Sequence, residues 1–203
     1  MGSRVECFLL TETEYIQRFL RRFAFERQRP CPAVAEGRNP FGCCDASVVI
    51  EARVHKPRPP LAYETEGPEV PRDDPRWPVA CAYCGQPFEA EHQWQVNDHR
   101  LWESAERGLE TTLRDAPVGA MWWAWWCGNW GSPQWEARGR GPHLYVQTPG
   151  GEWDVDAPSS NGNGWERSGE PPKVTARPSI GIYDRQGGWK YHGFLTDGVL
   201  EEC

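Results

Sequence analysis

The chain has 203 residues, with 22 basic and 29 acidic side chains and a net charge of −7, a length that fits one domain with a sizeable core. Twenty-one glycines and nineteen prolines exclude a long helical bundle or coiled coil, and no run approaches the ~20 apolar residues of a membrane-spanning helix. Net acidity argues against a generic nucleic-acid binder, which needs a basic footprint.

Residues 4–10 (RVECFLL) read as a strand. Thr11 is expected to open a helix, because Thr11 and Glu14 form a capping-box pattern. Tyr15, Ile16, Phe19, Leu20 and Phe23 recur at helical spacing, with Arg18, Arg21 and Arg22 on the other face. This helix should end near Arg29, since Pro30 and Pro32 forbid continuation. An irregular stretch follows, then a second strand at 47–54 (SVVIEARV), rich in β-branched residues. Residues 56–78 carry Pro57, Pro59, Pro60, Pro68, Pro71, Pro75 and Pro78 and read as an exposed loop. A short helix is expected between Asp98 and Glu110.

Beyond Ala116 the pattern turns to β. Strands are expected at 121–127, 143–148, 152–156, 173–177 and 189–195, separated by the turn signals Pro149-Gly150-Gly151, Gly162-Asn163-Gly164, Gly187-Gly188 and Asp197-Gly198. The expected fold is therefore β-rich α+β: antiparallel sheets, as a sandwich or partly open barrel, with an N-terminal helix and a structural zinc knuckle. It is read as one domain over 1–203. A helix and knuckle portion covers 1–110, and a tryptophan-rich β portion covers 111–203.

The knuckle is read from the cysteines. Cys81-Ala-Tyr-Cys84-Gly85 has the spacing at which two thiolates grip one tetrahedral ion, and the glycine lets the backbone bend around the sulfurs. Two further ligands are needed. Adjacent side chains diverge along an extended chain, so Cys43 and Cys44 rarely serve one metal together. The expected set is Cys31, Cys44, Cys81 and Cys84, with His92 in reserve; the alternative is that these thiols are small buried hydrophobes. Four filled positions make such a zinc structural. The apolar run of the N-terminus (MGSRVECFLL) is too short for a secretion signal, which fits a reducing compartment where thiols stay free or hold metal. His55, His92, His99, His143 and His192 show no paired spacing for a catalytic metal.

Six of twelve tryptophans crowd into residues 121–135 (MWWAWWCGNWGSPQW). In a strand, Trp122, Ala124 and Trp126 would face one side, and Trp123 and Trp125 the other. Both faces are then aromatic, so the strand is buried on both sides or one face meets a partner. Trp122, Trp123, Trp125, Trp126 and Trp130 are the candidate interface. Core packing competes with that reading, and stacking on sugars or bases is disfavoured because few basic residues are interleaved.

The strings TLRDAPVGAMW (112–122), PGGEWDVDAPSSN (149–161), WERSGEPPKVT (165–175), PSI (178–180) and YHGFLTDGVLEEC (191–203) follow in this order. The C-terminal part so marked resembles a family of uncharacterised proteins of tailed bacteriophages. The resemblance covers most of 79–203 and, more weakly, the first half, and it implies no established activity. His192 with Asp197, Asp154 or Asp156 could form a base and its orienter, but no nucleophile motif lies beside them. His192 is expected instead to fix the last strand near Asp154 or Asp156.

The expectation for function is a phage-encoded, non-enzymatic virion or assembly component, stabilised by structural zinc. It would contact other phage structural proteins or itself, with no membrane and no specific nucleic acid as partner. It would reside in the host cytoplasm during infection, or in the virion. The alternatives are an early host-takeover or anti-defence binding protein and, less favoured, a metal-dependent hydrolase or carbohydrate-binding protein.

Overall fold

Strand-forming sequence governs most of the described residues of this chain. The computed structural model describes residues 3–23, 45–56, 75, 79–80, 87, 93–159, 162–184 and 186–203. Their strands in chain order are β1 (Arg4–Glu6), β2 (Phe8–Leu9), β3 (Thr11–Phe23), β4 (Asp45–His55), β5 (Gln93–Ser104), β6 (Leu109–Thr112), β7 (Ala120–Ala124), β8 (His143–Thr148), β9 (Gly151–Asp154), β10 (Glu166–Ser168), β11 (Thr175–Tyr183), β12 (Trp189–Thr196) and β13 (Val199–Glu202). One short α-helix, α1 (Pro133–Ala137), interrupts them, with 3-10 turns at Leu113–Asp115 and Trp125–Cys127.

Two compact units result: Met1–Glu12 with Trp102–Cys203, and Thr13–Leu101. The first twelve residues thus belong with the C-terminal half.

In the first unit β1-β13-β12-β11-β10 form one sheet, antiparallel at every junction. A second sheet runs β2-β7-β8-β9, with β2 parallel to β7 and the other junctions antiparallel. Period-two alternation sends Met121, Leu144, Val146 and Trp153 of the second sheet into the same core as Ala176, Ile180, Tyr191, Leu195 and Leu200 of the first. On its other face β7 buries Ala120, Trp122 and Ala124 against Phe8, Leu10, Trp102 and Ala116. β7 is therefore buried on both faces, which is why its sequence shows no apolar-polar alternation. Gly193 permits a local fit in this core, because a Cβ there would collide with the ring of Tyr191.

The remaining sheet has the order β4-β3-β5-β6, and it corrects two expectations. Residues 11–23 are strand β3, not the N-terminal helix. Their apolar spacing fits a helix, but β4 supplies an antiparallel partner from Tyr15↔His55 to Phe23↔Asp45. A helix would forgo that ladder, and long-range pairing decides between two locally plausible states. The Thr11 hydroxyl donates to Glu103 O at 3.3 Å instead of capping a helix. Arg18, expected on an outer helical face, is buried. Its Nε and Nη2 donate to the two oxygens of Asp98 at 2.9 and 3.1 Å. The expected helix at 98–110 is likewise the end of β5, a turn at 105–108 and β6; Gly108 takes the positive φ of 58° that the turn requires.

Strand expectations fare better. The segment 143–148 coincides with β8, and 47–54 lies within β4. The segment 121–127 stops short at Ala124, where the chain coils into the 3-10 turn.

Candidate functional site

β8 begins at His143, whose side chain is fully enclosed. Antiparallel pairing sets Asp154, the last residue of β9, opposite Tyr145. That register brings the Asp154 carboxylate to the imidazole, with Nδ1 donating at 2.8 Å to Oδ2 and lying 3.1 Å from Oδ1. Trp135 and Trp130 meet the imidazole edge-on, with ring centroids 4.9 and 5.8 Å away. His143 Nε2 is buried and has no hydrogen-bond partner among the described residues.

Two residues on, Asp156 is completely buried. Its Oδ2 accepts from Leu144 N at 2.9 Å, and Oδ1 accepts from Arg138 Nη2. Arg167 Nε lies 3.3 Å from that oxygen. It is close enough for an ion pair but misaligned for a hydrogen bond. The Asp156 amide donates to Asp154 Oδ1 at 3.0 Å. The buried Asp156 carboxylate thus has two guanidinium counter-charges, while Asp154 is held by the imidazole and an amide. Burial pushes the Arg138 guanidinium below its ordinary value, and Asp156 opposes that shift. The Arg167 guanidinium also lies over the Trp123 ring, 5.1 Å from its centroid.

The network roots the segment between β7 and β8. Ser132 caps α1 by accepting from Trp135 N at 3.2 Å, with Pro133 in the first turn. The Ser132 amide donates to Asp156 O at 2.9 Å, and Trp135 Nε1 donates to Gly141 O at 3.2 Å. Nearby, the Cys127 thiol and Tyr145 hydroxyl lie 3.4 Å apart. Burial, then the Cys127 and Asp154 neighbours, raise the Tyr145 phenol well above its ordinary value; it stays neutral.

The expected interface residues divide. Trp122 is core, stacked 5.8 Å from Tyr145, which is the core-packing alternative for this residue. Trp123 packs partly buried against the main core. Trp125, Trp126 and Trp130 are 56, 46 and 56% exposed. Trp126 leans edge-on against Trp125 and the buried Trp102, with centroids 5.6 and 6.3 Å away. Trp125 Nε1 donates to Glu12 Oε2 at 3.3 Å.

His192 does not reach Asp154 or Asp156. It pairs with Ser179 Oγ at 3.3 Å and packs on Trp189, with centroids 4.7 Å apart. The pairing with Asp154 is made instead by His143 of β8, which the sequence pattern does not single out, nor does it Arg138 and Arg167. The one signal they leave is a histidine opening a strand, with its acidic partners after the next turn.

The proposed zinc ligands Cys31, Cys44, Cys81 and Cys84 lie outside the described residues, as does the reserve ligand His92. Ala80 and Pro87 form an isolated antiparallel bridge, so the chain closes on itself on either side of the Cys81–Cys84 segment. Among the described residues no group of three or more His, Cys, Asp or Glu is arranged to hold a metal ion.

No protein-family model, no curated protein and no solved structure matches the chain.

Proposed function

We propose that this chain is a non-enzymatic binding protein whose first unit is a β-sandwich and whose segment 125–142 docks a partner protein. The observation that carries the reading is the exposure of Trp125, Trp126 and Trp130 on a segment rooted by the ion pairs of the buried Asp156 carboxylate. Exposed large aromatics cost solvation free energy, and monomers rarely display them in groups without a use. Tryptophan is also the residue most enriched among binding hot spots. A rigid root lowers the ordering cost of association. The His143–Asp154 pair supports a structural role over catalysis, because an enclosed imidazole meets no substrate.

The resemblance of the C-terminal motifs to tailed-phage proteins supports a virion or assembly component acting on other phage structural proteins or on itself. Structural zinc is part of the same proposal. The spacing Cys81-Ala-Tyr-Cys84-Gly85 in the sequence supports it. Reduced, freshly purified protein should carry about one zinc per chain, and Cys81→Ser should lose it; metal-free protein on elemental analysis refutes the zinc.

The docking reading is tested by sedimentation of the protein alone and with phage particles. Wild type should self-associate or co-sediment, and Trp125→Ala/Trp126→Ala/Trp130→Ala should do neither while still melting cooperatively, a few degrees below wild type. Unchanged behaviour in the triple variant overturns it. A chain absent from purified particles by mass spectrometry, yet dependent on these tryptophans for a host partner, would favour the early host-directed reading.

A further inference from the structure

The outer face of the β11–β12 hairpin carries a second aromatic group, remote in sequence from segment 125–142. Cα partners along the hairpin are Ile180↔Gly193, Gly181↔His192, Ile182↔Tyr191 and Tyr183↔Trp189. The register shift between the last two pairs leaves Lys190 as the extra residue of a bulge, a device that re-aims neighbouring side chains. Trp189 and Lys190 are both exposed, and Tyr191 returns to the core.

Gly181 decides where the indole goes. A Cβ at this position would sit 2.7 Å from Trp189 Cζ3, so only glycine lets the ring lie across the strand. Glycine in a strand interior weakens the strand and often marks close approach of another group. Here the approaching group is a tryptophan that keeps 57% of its surface exposed. Its ring stands between Tyr183, with centroids 4.1 Å apart and planes tilted 34°, and His192, at 4.7 Å and 35°. Phe194 is two residues beyond His192 on β12; it and Tyr183 are 47 and 53% exposed.

The hairpin is fixed before anything binds. Asp184 Oδ1 accepts from Gln186 N and Gly188 N at 2.8 Å each, and the Asp184 amide donates to Gly188 O at 2.8 Å. The row of rings is thus held by a capped turn and a bare glycine.

Its polar surroundings select the occupant. Hydrogen-bonding groups are interleaved with the rings: the Ser179 hydroxyl and His192 imidazole, 3.3 Å apart, and exposed Lys190 and Thr196. Exposed Arg4, Arg177 and Lys190 of this sheet are offset by exposed Glu166, Glu201 and Glu202, with Glu166 opposite Arg177 and Glu201 3.6 Å from Arg4. A single-stranded nucleic acid needs stacking rings within a positively charged groove, and this surface is charge-balanced. The core of a protein interface is depleted in charge and continuously apolar, unlike rings alternating with polar groups. A sugar ring offers a flat C–H face with hydroxyls around its rim, and it matches both features without charge.

We propose that Tyr183, Trp189, His192 and Phe194 form a binding platform for an uncharged oligosaccharide, with Trp189 as the central stacking surface. This site is independent of the protein-docking segment.

Cellohexaose, maltoheptaose and chitohexaose are the probes, titrated into the full chain by calorimetry and by tryptophan fluorescence. At least one should bind with Kd below about 1 mM. Trp189→Ala should weaken that binding at least tenfold with an unchanged melting temperature, Trp189→Phe should retain part of it, and Trp125→Ala should not alter it. If Trp189→Ala fails to fold, Tyr183→Ala gives the same reading with a smaller loss. The proposal is overturned if none of the three sugars binds, or if binding survives loss of the ring. It also fails if a twelve-residue oligothymidylate binds this face instead.

Discussion

The aromatic residues of the first unit fall into two populations with opposite surroundings. Around β7 and β8, Trp122, Trp135, Tyr145 and His143 are enclosed or nearly so and knit to Asp154, Asp156 and Arg138. On the surface, Trp125, Trp126, Trp130, Tyr183, Trp189 and Phe194 keep about half their area in solvent. Residue type is the same; what differs is whether the backbone gives the ring a cavity or a ledge. Trp122 lies on the regular strand and points into packed side chains. Trp125, three residues later, lies past Ala124, where the strand gives way to a 3-10 turn. The contrast ties the first population to stability, and the recognition role proposed for the second rests on its exposure.

The largest effects should come from breaking the enclosed population. Asp156→Ala leaves the largely enclosed Arg167 guanidinium and the partly exposed one of Arg138 without their shared carboxylate and the Leu144 amide without an acceptor. Loss of one partner from a buried ion pair costs roughly 3–5 kcal/mol, so a large fall in the denaturation midpoint is expected. Asp156→Asn keeps an acceptor and should lose less. Trp122→Ala opens a cavity beside Tyr145 and should cost about 3–5 kcal/mol. If either alanine variant melts like wild type, the network and β7 core are not what holds the unit together.

Local pattern alone makes most of the β portion legible. The β8 segment 143–148 alternates and is flanked by turn residues, so both ends fall where the glycines and prolines put them. Residues 11–23 mislead, because Tyr15, Ile16, Phe19, Leu20 and Phe23 satisfy helical spacing as well as strand pairing. The partner that breaks the tie, β4, begins more than twenty residues downstream. The site is legible only in part. Clustering flags Trp125, Trp126 and Trp130 but does not separate them from Trp122, since that depends on where β7 stops. The Trp189 platform leaves no cluster in the sequence. It arises from Gly181 and Trp189 meeting across a hairpin, a relation visible only in the register.

An intermediate effect tests enclosure through pH. Burial raises the Cys7 thiol from its ordinary 9.0 to about 12, and the backbone of Leu200 only partly offsets it. Burial also raises the Tyr191 phenol from 10.0 to about 12, helped by Glu202. Both groups stay protonated in the folded chain at pH values where the unfolded chain has released them. Stability should therefore be level below about pH 9 and fall as pH rises from there to about 12, by up to about 1.4 kcal/mol per pH unit for each group. Tyr191→Phe should flatten the upper part of this decline. It should also leave neutral-pH stability unchanged or raised by about 1 kcal/mol, because the Tyr191 hydroxyl is buried without a partner among the described residues. Urea midpoints from pH 8 to 11 check both; a profile parallel to wild type would mean that Tyr191 is solvated.

The smallest stability effects belong to the outer population, and they sharpen the contrast most. Trp125→Ala removes a ring that is more than half exposed and its hydrogen bond to Glu12; surface changes of this kind stay within about 0.5 kcal/mol. Trp126→Ala also loses its edge contact with Trp102 and should cost about 1 kcal/mol, the scale of an aromatic pair. Both are far below the cost expected for Trp122, although all three residues lie within five positions of one another. Their value should show in association, where truncating an aromatic anchor at the centre of an interface costs about 2 kcal/mol or more, roughly thirtyfold in Kd. Chemical denaturation and sedimentation of the same two variants measure the two quantities side by side. Should Trp126→Ala destabilise the fold as much as Trp122→Ala while self-association or particle binding is untouched, Trp126 would be an outlying piece of the core and segment 125–142 would have no docking role.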